Sequence, residues 1–174
     1  GLTVAWSCIH EHGGTIDVKS SPQGTQFLVY LPESQELVEL SGEINALQHY
    51  VGNKEKVLVV DDEEFLREIA GSMLTTLNYQ VSTVASGEDA IEYVKKNKVD
   101  LVLLDMQMDP GINGRQTYQE ICKIRPDQRA LIASGYSESK DVKAILEMGA
   151  GAFIKKPYSL AELGRAVKEN LGHR

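Results

Sequence analysis

Two adjacent aspartates, Asp61 and Asp62, close the apolar run Val57-Leu58-Val59-Val60. Three further runs repeat the pattern. Leu101-Val102-Leu103-Leu104 ends in Asp105, Ala130-Leu131-Ile132-Ala133 ends in Ser134, and Ala152-Phe153-Ile154 ends in Lys155-Lys156-Pro157. Short continuous apolar runs separated by helical stretches read as strands of a parallel sheet covered on both faces. In such sheets ligands bind beyond the carboxyl ends of the strands. The pattern therefore predicts three acids, a hydroxyl and an ammonium gathered at one sheet edge.

Residues 56 to 174 alternate the two periodicities throughout. Strands are expected near 56–60, 80–84, 100–104, 129–133 and 152–154, and helices near 63–77, 87–97, 114–124, 138–148 and 159–171. Phe65, Ile69 and Met73 recur at helical spacing, as do Leu66, Ala70 and Leu77, and Asn78 follows as a left-handed stop. Ser159 and Glu162 have the spacing of a capping box ahead of Leu163, Val167 and Leu171. Right-handed crossovers between five strand–helix pairs give an α/β fold with a five-stranded doubly wound parallel sheet.

The first 32 residues read differently. A helical stretch runs to His12-Gly13-Gly14. Ile16 and Val18, then Phe27, Val29 and Leu31, alternate with polar residues around Ser20-Ser21-Pro22-Gln23-Gly24, a hairpin signal. One helix and two strands cannot bury their own apolar faces, so this N-terminal helix plus β-hairpin is expected to pack on the rest of the chain or to self-associate. Residues 33–55 form the expected linker. Leu37, Leu40, Ile44, Leu47 and Val51 allow a short amphipathic helix there, against which Gly42 counts.

A net charge of −7 argues against nucleic acid as a partner. No apolar run is long enough to span a membrane. The lone cysteines Cys8 and Cys122 lack metal-ligand spacing and fit a reducing, cytoplasmic setting. The opening Gly1-Leu2-Thr3 has no Met, which is expected of a piece of a longer chain, and the close at Arg174 just past the last helix leads us to expect no DNA-binding domain after it.

Three carboxylates held together repel one another, and burial penalises each further. A divalent cation removes that cost, and an all-oxygen set without His or Cys favours Mg²⁺ or Mn²⁺. A carboxylate can also attack phosphorus to give an acyl phosphate. Asp105, Lys156 and Ser134 suit the jobs of nucleophile, charge clamp and hydroxyl donor, and Asp61 and Asp62 suit the metal. Taken singly, each residue has a plainer reading as a helix cap, a loop lysine or a solvated serine. All of them together, in this order and at successive strand ends, favour the chemical one.

The stretches VLVVDDEE, LVLLDMQM, ALIASGY and AGAFIKKPY make residues 56–174 resemble a response-regulator receiver domain of two-component signalling, with a flavodoxin-like fold. The resemblance implies that Asp105 is the phosphoacceptor, that Asp62 binds the metal directly and Asp61 through water, and that the backbone carbonyl of Gln107 is a further ligand. It also makes Ser134 the switch hydroxyl, Phe153 the switch aromatic and Lys156 the family's lysine, with a cis bond to Pro157. The sequence departs from the family pattern in places. The loop from Asp105 to Gly114 is one residue longer, Gly135 stands where Ala is usual, Tyr136 is bulky beside the path of attacking water, and Phe153 lacks a hydroxyl.

Residues 1–32 resemble the tail of a histidine-kinase ATPase domain, from the end of its last Gly-rich box through the final helix and hairpin. The rest of the nucleotide site is absent, so no useful ATP binding is expected, and His10 and His12 fit the ATPase tail and not a phosphorylated histidine. Together the resemblances imply a hybrid sensor histidine kinase with a C-terminal receiver. Its partners would be the phosphohistidine domain of a histidine kinase and a histidine phosphotransfer protein. Two alternatives stand beside this reading. A metal-dependent phosphatase passing through an aspartyl phosphate usually carries a second Asp two residues after the nucleophile, where this chain has Gln107. A degenerate receiver acting only as an interaction module is disfavoured by the intact acid set.

Overall fold

The computed structural model describes residues 2–33, 47–135 and 140–172. The chain divides into two compact units, residues 1–39 and 40–174.

In the first unit, helix α1 (Leu2–Glu11) is followed by strands β1 (Thr15–Ser21) and β2 (Gly24–Tyr30). The strands pair antiparallel, with Ile16 opposite Val29 and Val18 opposite Phe27. The turn is tight because the Ser21 hydroxyl accepts from the Gln23 amide at 3.3 Å and donates to the Gly24 carbonyl at 3.4 Å. Val18, Phe27, Val29, Tyr30 and Leu31 are exposed, since one helix and two strands offer too little area to cover them.

The second unit holds β3 (Lys56–Val60), α2 (Glu64–Thr76), β4 (Gln80–Val84), α3 (Gly87–Lys96), β5 (Leu101–Asp105), α4 (Gly114–Ile124), β6 (Ala130–Ser134), α5 (Lys140–Glu147), β7 (Ala152–Lys155) and α6 (Leu160–Gly172). The five strands form one parallel sheet in the order β4-β3-β5-β6-β7. This is the doubly wound fold expected from the sequence. The order reverses between β3 and β5, so their carboxyl ends flank the crevice in which such sheets bind ligands.

Alternate residues of the strands feed two cores. Val57, Val59, Leu101, Leu103 and Leu131 pack against Ala70 and Leu74 of α2 and Leu163 and Val167 of α6. Leu58, Val60, Val102, Leu104 and Ile132 pack against α3, α4 and α5 through Ala90, Val94, Tyr118, Ile121 and Ile145. Each fully buried Leu or Ile stabilises the fold by about 2 kcal/mol relative to exposure. Helices α3 and α6 begin at side-chain caps, the second as the sequence predicts. Ser86 accepts from the Asp89 amide at 3.1 Å, and Ser159 and Glu162 bond reciprocally at 2.8 and 3.3 Å. Asn78 adopts φ +66°, ending α2 as expected.

Two expectations shift. The third and fourth strands begin and end one residue later than predicted, so Asp105 and Ser134 are themselves ladder residues, paired with Ala133 and Lys155. The end of the expected 33–55 linker is packed structure. Leu47 and Tyr50 join the core on the α2/α6 face. The Tyr79 hydroxyl donates to the Tyr50 carbonyl at 3.0 Å, the Gly52 amide to Leu77 at 2.8 Å, and Lys168 to the Val51 carbonyl at 2.9 Å. Burial, helped by the charge of Glu55, pushes the Tyr79 phenol up to about 12. Most of the amphipathic stretch from Leu37 to Val51, together with Tyr136, lies outside the described residues. Among the described residues no helix is long and apolar enough to cross a membrane.

Candidate functional site

Strands β3 and β5 are neighbours and parallel, with Val60 beside Leu104. The residues that follow each run are therefore delivered side by side. Asp61, Asp62 and Asp105 each offer a carboxylate oxygen, and these oxygens all lie within 4.8 Å of one another. Asp61 and Asp105 are only 5% and 7% exposed, so their charges need compensation from within the protein or from a cation. Asp62 is more open.

Lys156, just past β7, supplies the ammonium. Its Nζ lies 2.6 Å from Asp61 Oδ2 and 3.1 Å from Asp105 Oδ2. Its amide donates to the Ser134 carbonyl at 2.9 Å, which fixes β7 against the end of β6, and the Lys156–Pro157 peptide is cis. Burial works to lower the Lys156 pKa, but the hydrogen bonds and charges of Asp61 and Asp105 outweigh it and hold the ammonium above its ordinary range. The Asp105 carboxyl is likewise held above its ordinary range. Desolvation raises its pKa, the Lys156 ammonium opposes this, the Asp61 charge adds to it, and the Gln107 amide donates to the carboxylate.

The main chain around the acids is itself held. Asp61 Oδ1 accepts from the Glu63 amide at 2.9 Å. Arg67 Nη1 donates to the carbonyls of Asp61 at 2.6 Å and Asp62 at 3.3 Å. Asp62 Oδ2 accepts from the Asp109 amide at 3.2 Å, which ties the loop after β5 to the end of β3. Gly114 opens α4 directly against the end of β5, and a Cβ there would fall 2.3 Å from the Asp105 carbonyl oxygen. The close approach leaves room for glycine alone.

The sheet brings the other residues expected from the sequence to the same edge. Ser134 is the last residue of β6 and is 3% exposed. Phe153 on β7 is half-buried, pairs with Ile132 in register and packs on the α3/α4/α5 core. The sequence reading missed Arg67, whose only signal is a basic residue one turn into α2, and Tyr158. Burial pushes the Tyr158 phenol up, and it feels the charges of Lys156, Asp61 and Asp105. Arg67 and Tyr158 act through contacts that no periodicity encodes.

The described residues fit a divalent cation on their donor chemistry: three carboxylates, no imidazole or thiolate, and a spacing one ion can bridge. Chemically, the arrangement pairs a desolvated carboxylate with a fixed ammonium, which suits the gain of a negatively charged group at Asp105.

Comparison with known proteins agrees with this geometry. The family model described as the response regulator receiver domain matches residues 57–168. The chain is 32% identical to the sensor kinase CckA of Brucella abortus (strain 2308) over 98% of its own length, which is 19% of that protein. It is 33% identical to sporulation initiation phosphotransferase F of Bacillus subtilis (strain 168), over 67% of this chain and 94% of that one. Among solved structures, a CheY-like receiver domain protein from Methanospirillum hungatei JF-1 superposes with a TM-score of 0.64 at 25% identity, covering 67% of this chain and 93% of the other. The fold is also that of the receiver domain of sensor histidine kinase PA1611 from Pseudomonas aeruginosa PAO1, a structure with magnesium coordinated in its active-site cleft, at a TM-score of 0.63. The chain belongs to the response regulator receiver domain family, the receivers of two-component phosphorelays.

Proposed function

We propose that Asp105 accepts a phosphoryl group from a phosphohistidine, with Asp61, Asp62, Asp105 and the backbone carbonyl of Gln107 holding Mg²⁺ or Mn²⁺. The observation that carries this reading is the Lys156 ammonium set between Asp61 and Asp105, at 2.6 and 3.1 Å, inside a cluster of three carboxylates. A bound divalent cation supplies charge neutralisation at the carboxylates and the incoming phosphoryl oxygens. The protein's own groups do the rest. Asp105 provides the attacking oxygen, largely withdrawn from water. The phosphorus–nitrogen bond of the donor breaks as the phosphorus–oxygen bond to Asp105 forms. Lys156 offsets the charge that arrives, and the Ser134 hydroxyl donates to a phosphoryl oxygen. Ser134 and Phe153 then act as the switch, with Phe153 working by packing alone.

The parent protein, in this reading, is a hybrid sensor histidine kinase. Residues 1–32 are the tail of its ATPase domain, 33–55 the connection and 56–174 the receiver. The similarity to a sensor kinase across nearly the whole chain supports this. The donor is the phosphohistidine domain of a kinase, and a histidine phosphotransfer protein is the next carrier, both in the cytoplasm. The net charge of −7 supports a protein partner over nucleic acid.

Incubation with a small acyl phosphate and Mg²⁺ tests the reading. A receiver gains the mass of one phosphoryl group and keeps it for a measurable time. A phosphatase turns the donor over without a stable adduct, and a degenerate module does neither.

A further inference from the structure

We propose that Glu88, near the start of α3 and outside the acid cluster, is a positioning residue for cation binding. It tethers the loop between β5 and α4 that carries Gln107 and the amide held by Asp62. The inference rests on the reading of the acid cluster as a divalent-cation site.

The loop leaves the sheet at Asp105 and returns at the Asn113 cap of α4, where Asn113 and Gln116 bond reciprocally at 3.1 and 3.0 Å. Beyond Gln107, whose amide meets the Asp105 carboxylate, three contacts hold the outer part of the loop. Met108 is buried in the α3/α4/α5 core. The Asp109 amide donates to Asp62 Oδ2 at 3.2 Å. The Ile112 amide donates to Glu88 Oε1 at 3.2 Å. Gly111 sits between the last two at φ +133°, and a Cβ there would fall 3.0 and 3.2 Å from the two Glu88 oxygens. The carboxylate thus lies directly against the main chain. The neighbouring Gly87 presses on the same loop, since its Cβ would fall 2.7 Å from Ile112 Cγ1.

The start of α3 is therefore a backstop for the loop. Without Glu88, the main chain between Met108 and the Asn113 cap would keep the Asp62 carboxylate as its side-chain hydrogen-bond acceptor, the group a cation also needs. A looser loop makes Gln107 and Asp62 costlier to gather around an ion, because their ordering must then accompany binding. The tether works through a hydrogen bond, so a neutral acceptor should serve as well as a charged one. A purely electrostatic role would require the charge.

The experiment uses the full chain, Glu88→Ala, Glu88→Gln, and Asp62→Ala as the site control. Two quantities are read: Mg²⁺ affinity by calorimetric titration, and exchange of the Ile112 amide by NMR without metal. The tether predicts that Glu88→Ala speeds Ile112 exchange and weakens Mg²⁺ binding about tenfold, as removal of outer supports commonly does. Glu88→Gln should restore both. Unchanged exchange or unchanged affinity in Glu88→Ala overturns the proposal, and so does a Glu88→Gln chain as weak as Glu88→Ala. Failure of the cation reading itself shows differently: the parent chain and Asp62→Ala would then titrate alike, and with no site at the cluster the proposal falls too.

Discussion

The Lys156 ammonium lies closer to Asp61, at 2.6 Å, than to the proposed phosphoacceptor Asp105, at 3.1 Å. The proposed metal-site acid and the proposed phosphoacceptor thus share one cation from the protein. Removing it leaves two buried carboxylates facing each other. Lys156→Met should lower unfolding stability at neutral pH, without divalent ions, by about 3 kcal/mol. It should also tighten Mg²⁺ binding, because a competing positive charge is gone. The lysine's pKa is raised on folding, so its contribution is full below the ordinary lysine range and is lost as pH climbs through the raised value. Urea titrations with and without Mg²⁺ check both effects. A variant equally stable in chelator contradicts the account.

Asp105 carries the opposite sign. Its carboxyl pKa is raised in the fold, chiefly by desolvation. The native state therefore holds this proton more tightly than the unfolded chain, and stability falls as pH rises from the ordinary aspartate value of about 3.9 through the raised one. Asp105→Asn removes that ionisation. With a chelator present, the variant should be more stable than the parent at neutral pH, and the gap should shrink once pH falls below that window. Denaturant midpoints at the two pH values give the answer, and a variant less stable at neutral pH contradicts it.

Gly114 tests how closely α4 approaches the site. Gly114→Ala would force a methyl to within 2.3 Å of the Asp105 carbonyl oxygen. The helix start must shift, at a cost of about 1–3 kcal/mol. The shift moves the loop that carries Gln107, so acyl-phosphate labelling should slow as well. Full stability together with full labelling would show that the approach is looser than the structure has it.

The hairpin offers a prediction about assembly. Val18, Phe27, Val29 and Leu31 are exposed on β1, β2 and the residue after it. Apolar area removed from water contributes roughly 25 cal/mol per Å², and the ribbon's strand edges offer backbone for pairing. The chain should therefore self-associate through residues 1–32, and Val18→Lys together with Phe27→Lys should return it to a monomer. Sedimentation of the two chains decides this, and a monomeric parent at high concentration rules the contact out.

The sheet was legible because each buried strand is an uninterrupted apolar run, and the helices because their caps and spacing are local. The site was legible because each acid, hydroxyl or ammonium sits at the end of such a run. Lys156 and Asp61 are 95 residues apart in sequence; the parallel sheet supplies their meeting, and the runs announce the sheet. The supporting contacts were not legible. Arg67 reaches back only six and five residues to the carbonyls of Asp61 and Asp62, while Glu88 on the Ile112 amide and Tyr79 on the Tyr50 carbonyl join side chains to distant main chain. Such bonds leave no period in the sequence. The docking of Leu47 and Tyr50 was hidden for a related reason: one turn of apolar residues looks the same whether it packs or swings free.

The most direct test of the central claim is to map the phosphoryl group after treatment with an acyl phosphate and Mg²⁺, in the parent chain and in Asp105→Asn. The account predicts one phosphoryl group on the peptide containing Asp105 in the parent, and none in a folded Asp105→Asn chain. Undiminished labelling of the variant, with the group on another residue, would contradict it.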